Sequence, residues 1–276
     1  MQRKVHVIHH THWDFEWYFT TNESFVQLVY HLDEVMQALE ENQIDYYLLD
    51  GQMSILDDYL ASFPEKKERL AQLVKNGKLA IGPWYTQTDE LIVRGESMVR
   101  NLNLGMELAE SLGGYMNIGY LPDSYGQSKD MPKIYNVFGI QHSVFWRGVP
   151  NEITTKREFH WKAEDGSNVL TSNIKDGYFV GVGLIYSDDA QSLIETISKG
   201  AVSESLVLPV GGDQRYVDFN LRDRIERYND KLTDVELMES TYELFFEAVK
   251  EKELPTVEGE FISSSVSKIH RSIYSS

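Results

Sequence analysis

Short apolar runs alternate along the chain with longer amphipathic ones, and the alternation predicts a βαβα order. Val5 to His9 reads as a first strand. A helix is predicted from about Ser24, where Ser24 and Gln27 fit a capping box and Phe25, Leu28, Val29, Leu32, Val35, Met36 and Leu39 recur as one apolar stripe. Tyr46 to Leu49 is strand-like, Ser54 to Val74 is helical, and Leu79 to Ile81 runs as a strand into Gly82-Pro83-Trp84. The next helix, from about Glu96, buries Met98, Val99, Leu102, Met106, Ala109 and Leu112 and stops at Gly113-Gly114, as a C-terminal cap requires. Met116 to Leu121 is the strand that follows.

Beyond it come a helix ending near Gly139 and a strand from Ser143 to Trp146. Phe159, Trp161 and Ala163 alternate before the Asp165-Gly166 turn, a hairpin signal that reads as an insertion. A helix from Ala190 to Ser198 leads to a strand from Leu206 to Val210, and a last long helix is predicted from the Thr233, Glu236 box to about Lys252. Repeated β-then-α units joined this closely favour an α/β fold with a mostly parallel sheet, wound or closed into a barrel. No repeat or Pro/Gly-rich linker divides the chain, so a single domain over residues 1–276 is expected. After Pro255 no room remains for another βα unit, and the barrel is expected to be incomplete at its C-terminal end.

Composition narrows the partners. Lys and Arg number 26 against 43 Asp and Glu, and the net charge of −17 repels phosphate backbones and anionic membranes. Neutral substrates are expected, with no nucleic acid and no membrane as partners. A chain that is 42% hydrophobic and 12% aromatic is not disordered, and no apolar run approaches the roughly 20 residues that span a bilayer. Without cysteine there is no disulfide and no thiolate nucleophile, so any metal must sit on histidine and carboxylate ligands. Met1-Gln2-Arg3-Lys4 passes straight into the first strand without the apolar core of a signal peptide, so a cytoplasmic location is expected.

In parallel α/β folds the site lies at the carboxyl ends of the strands. Following the predicted strands in turn are His10, His12, Asp14 and Trp17; Asp50; Trp84, Asp89 and Glu90; Asp123; Arg147; and Asp213 with Arg215. Alternate residues of an extended segment point the same way, so His12 and Asp14 suit a zinc ion, although a bare His-x-Asp also fits histidines satisfied in a core. Asp123 sits in the tight turn Pro122-Asp123-Ser124-Tyr125-Gly126 and is either presented outward or caps the next helix. Asp213 follows Gly211-Gly212, which either admit a ligand or only make a turn. Two carboxylates on one face are what glycoside hydrolysis requires. The aromatic residues Trp13, Trp17, Tyr18, Trp84, Tyr85 and Trp146 beside them suit sugar faces, and Arg147 could orient a carboxylate bidentately or close an ordinary ion pair.

Together, His10-Thr11-His12-Trp13-Asp14-Phe15-Glu16-Trp17, Pro122-Asp123-Ser124-Tyr125-Gly126-Gln127-Ser128, Phe145-Trp146-Arg147-Gly148, Asp165-Gly166-Ser167 and Gly211-Gly212-Asp213 resemble glycoside hydrolase family 38, the class II α-mannosidases, in their bacterial form. The resemblance runs over nearly the whole chain. It implies a mostly parallel (β/α)7-type barrel acting on mannose-containing oligosaccharides with retention of configuration, and one Zn²⁺ per active site. Carried over, His12, Asp14 and Asp123 would bind zinc and Asp123 would be the nucleophile. Arg147 would orient Asp123, Asp213 would be the acid/base, and Trp17 and Trp84 would bind substrate. Zinc and Arg147 would favour ionised Asp123. A retaining pair has its carboxyl groups about 5–5.5 Å apart.

The family's fourth zinc ligand is a histidine in a His-Asp motif that would lie beyond Ser276. His270, in Ile269-His270-Arg271-Ser272, lacks that context. The family's helical bundle and β-sandwich domains are also missing from these 276 residues, so weak zinc binding and slow turnover are expected of the chain alone. Two other readings stand beside this one: a different metal-dependent barrel hydrolase, such as a sugar deacetylase or amidohydrolase using His10 with His12, and a non-catalytic carbohydrate-binding domain. The sequence allows a homo-oligomer and leaves linkage preference open.

Overall fold

A computed structural model describes residues 2–183, 187 and 189–269; His270 and the terminal serines lie outside the described residues. The first strand, β1 (Arg3–Thr11), is buried from Val5 onward, as expected of a parallel strand covered on both faces. It pairs in parallel with β8 (Ser205–Val210) from Lys4↔Ser205 to His9↔Val210. At its upper end it pairs with β2 (Tyr47–Leu49), which carries β3 (Leu79–Ala80). Along its lower half it pairs with β9 (Val235–Glu239).

A second sheet of five strands has the order β10-β6-β7-β5-β4, with β4 (Ile118–Leu121), β5 (His142–Phe145), β6 (Glu158–Lys162), β7 (Asn168–Asn173) and β10 (Thr256–Glu258). Only β6 and β7 run antiparallel to each other. The structure therefore establishes a mixed α/β fold of two mostly parallel sheets. Among the described residues no ladder joins them, although the Met116 N–H donates to the Ile81 carbonyl at 2.8 Å beside β3 and β4.

One apolar cluster nevertheless draws on both sheets, with Ile8, Leu48 and Val207 of the first meeting Tyr120, Val144 and Leu170 of the second. Phe245 and Phe246 of helix α8 (Tyr242–Val249) close this interior from below. Outside, α1 (Thr21–Glu40), α2 (Ser54–Ser62) and α3 (Lys67–Lys75) cover the first sheet through Leu32, Val35, Leu56 and Leu70. Helices α6 (Ala190–Ser198) and α7 (Leu221–Lys231) pack over β8 and β9. Helices α4 (Gly95–Glu110) and α5 (Met131–Val137) cover the second sheet. No helix among the described residues is long and apolar enough to cross a membrane.

Several expected boundaries move. The capping box of α1 is Thr20 with Glu23, not Ser24 with Gln27: the Thr20 hydroxyl accepts from the Glu23 N–H, and the Glu23 carboxylate takes the Thr20 N–H. The helix expected over Ser54 to Val74 breaks at Phe63, because Pro64 disfavours helical geometry in the residue before it and brings no N–H of its own. The hairpin is not an insertion, since β7 pairs along β5 and β6 carries β10. Thr233 and Glu236 do not start a helix; Glu236 lies in β9, and Thr241 caps α8 instead.

Candidate functional site

Parallel register brings the ends of β1, β2, β4, β5 and β8 to one face, and the residues that follow them form the site. Past β1, His12 pairs with Asp213 in an isolated parallel bridge: its N–H donates to the Gly212 carbonyl at 2.9 Å, and the Gln214 N–H donates to the His12 carbonyl at 2.7 Å. This close approach requires glycine at 211, where an added Cβ would overlap the His10 carbonyl.

The His12 ring is buried and donates from Nδ1 to Asp50 Oδ1 at 2.9 Å. Its Nε2 faces Asp14 Oδ2 at 3.7 Å and Asp123 Oδ2 at 4.0 Å. Burial opposes a charge on His12, but the carboxylates of Asp50, Asp14 and Asp123 outweigh it and push the pKa up to about 10. Asp50 is fully buried and also accepts from the Trp13 N–H and from the amides of Gln52 and Gln87.

Asp123 Oδ1 accepts from Arg147 Nη2. The guanidinium lies between the Trp146 ring, at 3.6 Å, and the Tyr125 ring, at 4.1 Å, and its Nη1 donates to Ser267 Oγ at 2.7 Å. Burial raises the Asp123 pKa, against the opposing pull of His12 and Arg147. Burial likewise raises that of Asp14. The turn that presents Asp123 is tied down by Glu90, a buried carboxylate that accepts from the Ser128 N–H at 2.6 Å. Asp213 accepts from two tyrosines, Tyr178 on Oδ1 at 2.7 Å and Tyr18 on Oδ2 at 3.4 Å.

Thus His12, Asp14, Asp123, Arg147 and Asp213 come together. Trp17 stands at the rim, 67% exposed. Trp84, expected to bind substrate, is instead fully buried against Tyr135 and offers no surface to a sugar; Trp13 is also in the core, stacked on His31. His10 bonds through Nε2 to the Tyr178 carbonyl at 2.8 Å. Arg215 is exposed beside a cavity of about 360 Å³ that His9 and Arg224 also line. The sequence marked Asp50 only as a residue after a strand. It did not mark Tyr178, which lies just past a hairpin expected to be an insertion.

One imidazole nitrogen and two carboxylates are the right donor chemistry for zinc, and the Asp50 bond leaves Nε2 as the donor atom. Among the described residues, however, no three His, Asp or Glu side chains are gathered tightly enough to hold a metal as they stand.

Residues 2–267 match the family model described as the glycosyl hydrolases family 38 N-terminal domain. A Halalkalibacterium halodurans protein named "Putative mannosylglycerate hydrolase" is 29% identical over 94% of this chain and 31% of its own length. The crystal structure of an α-mannosidase from Enterococcus faecalis superposes with a TM-score of 0.87 at 29% identity, covering 95% of this chain and 31% of that one. Alpha-mannosidase F of Dictyostelium discoideum is 25% identical over 76% of this chain and 24% of its own length. The chain thus spans about a third or less of the length of these relatives.

Proposed function

Since the chain belongs to glycosyl hydrolase family 38, we propose that it is the catalytic part of an α-mannosidase that works with net retention, with Asp123 as nucleophile and Asp213 as acid/base. The observation that carries this reading is the pair of carboxylates flanking His12, each held by its own donor: Asp123 by Arg147 and Asp213 by Tyr178. Arg147 takes Oδ1 of Asp123 and leaves Oδ2 turned toward the His12 side of the face. In the first step that carboxylate forms a bond to the anomeric carbon, and the departing glycosidic oxygen takes the proton of Asp213. In the second, Asp213 removes a proton from water, which displaces Asp123 and restores both groups. Trp17 offers an exposed ring for the sugar.

Zn²⁺ fits this reading through His12, Asp14 and Asp123, and when bound would supply a Lewis acid that holds sugar hydroxyls. The proposed substrates are mannose-containing oligosaccharides. The name of the Halalkalibacterium relative adds mannosylglycerate as a second substrate to assay. A cytoplasmic location remains part of the proposal.

A sugar deacetylase or amidohydrolase would pair His10 with His12, but His10 is bonded to the Tyr178 carbonyl. Assays of an aryl α-mannoside, an α-linked mannobiose and mannosylglycerate, with and without zinc, test the proposal. Turnover of at least one that falls to background in Asp123→Asn is expected. Undiminished turnover in that variant would contradict the nucleophile, and sugar binding without turnover would favour a carbohydrate-binding domain.

A further inference from the structure

We propose that Asp50 is a positioning residue that fixes the His12 ring, with Nδ1–H toward β2 and Nε2 toward Asp14 and Asp123. The proposal rests on the reading that His12 works through Nε2. Asp50 follows β2 in a left-handed backbone conformation, φ 47°, which aspartate tolerates better than most residues. Its carboxylate is fully buried, and among the described residues its one ion-pair partner is His12.

The donors are divided evenly between the two oxygens. Oδ1 accepts from His12 Nδ1 at 2.9 Å and from the Gln87 amide at 2.8 Å; Oδ2 accepts from the Trp13 N–H and the Gln52 amide, both at 2.7 Å. The Gln87 amide also donates to the Asp50 carbonyl at 2.5 Å, and the Gln52 amide to the Trp13 carbonyl at 2.8 Å. Loops after β2 and β3 therefore converge on the end of β1 through one carboxylate. Because every partner of that carboxylate donates, Nδ1 must carry its hydrogen, and the ring cannot turn over without leaving Asp50 short of a donor.

Asparagine has the same shape and the wrong chemistry. Whichever way its amide points, its NH2 meets two donors, and if it faces His12 the ring must accept at Nδ1 and carry its hydrogen on Nε2. A partner of this kind, behind a ligating histidine, typically changes metal affinity by about 10–100-fold.

Two measurements on the full chain test the inference. In ¹⁵N-histidine-labelled protein, a downfield, slowly exchanging Nδ1–H resonance assigned to His12 by its loss in His12→Gln is expected, and in Asp50→Asn it should vanish or exchange faster, because either amide orientation turns the NH2 against two donors of the network. Zinc affinity, read by competition with a chromophoric chelator, should weaken by about 10–100-fold in the same variant. Absence of the resonance from the wild type, or its survival in Asp50→Asn with unchanged exchange and unchanged zinc affinity, overturns the proposal. If the wild type binds no zinc, the metal part of the functional reading fails, and the resonance alone decides the role of Asp50. If Asp50→Asn does not fold, Gln52→Met and Gln87→Met each remove one donor and keep the carboxylate. Faster Nδ1–H exchange in them supports the inference; unchanged exchange in both overturns it.

Discussion

Asp123 and Asp213 share a face but differ in what holds them, and the difference sets what each substitution should do. Among the described residues the side-chain partners of the Asp213 carboxylate are the tyrosine hydroxyls of Tyr178 and Tyr18, and its proposed task is to carry a proton. Asp213→Asn should lower kcat on an α-mannobiose by about 10²–10⁴-fold. The loss in kcat/KM, which reports the first step alone, should be much smaller on an aryl α-mannoside with an acidic leaving group, which needs little protonation. Equal losses in kcat/KM on both substrates would remove Asp213 from that role. Arg147 is a flat group held between two rings with its fork divided between Asp123 and Ser267. Lysine keeps the charge but neither the stacking nor the fork, so Arg147→Lys should lower kcat by about 10²-fold through misplacement of Asp123, with KM changing less. Of these residues, the ones that follow a strand directly were legible in the sequence, because a parallel register dictates where they go. Tyr178 was not, since its place depends on β7 pairing with β5. Trp84 misled because a residue just past a strand can turn inward as well as outward.

Elements were legible where a single periodic signal decided them and illegible where two signals competed. The stripe of α1 fixed the helix, but two overlapping Ser/Thr signals lay at its start, and Thr20 rather than Ser24 makes the reciprocal bonds. Helix α7 buries only Leu221, Ile225 and Tyr228. That spacing follows one helix face, but charged residues fill the positions between and hid it. The two-residue β3 is held by its neighbours more than by its own pattern. Close packing between elements gives a test at this scale. In α4, Gly105 lies against the backbone of Pro83, Trp84 and Tyr85, and an added Cβ would overlap all three. Gly105→Ala, which on an exposed helix would stabilise, should instead destabilise by about 1–3 kcal/mol. Chemical denaturation checks this, and a gain in stability would show that α4 can move away from the third strand's loop.

For the whole molecule, an interior shared by both sheets and closed by α8 lies beneath the face that carries Asp14, Asp123 and Asp213. Its mostly parallel order was legible from the βα alternation; the division into two ladders was not, because it depends on pairings of very short strands. Stability should also carry the mark of histidines buried without charge. Burial lowers the pKa of His9 and His31 from 6.5 to about 3 and that of His6 to about 4. Between pH 6.5 and those values these three rings bind protons in the unfolded chain that they do not bind in the folded one, so their contribution to stability is full above the window and is lost as pH drops through it. NMR titration of the His6, His9 and His31 ring resonances reads it directly; titration of all three near 6.5 would mean that these rings are not shielded from water. The central claim, that Asp123 forms a bond to the sugar, is tested most directly by trapping. A fluorinated α-mannosyl substrate with a good leaving group slows hydrolysis of the ester more than its formation. Peptide mapping by mass spectrometry should then find one sugar adduct, on the peptide carrying Asp123. Turnover with no adduct on that peptide, or an adduct on a different carboxylate, would contradict the account.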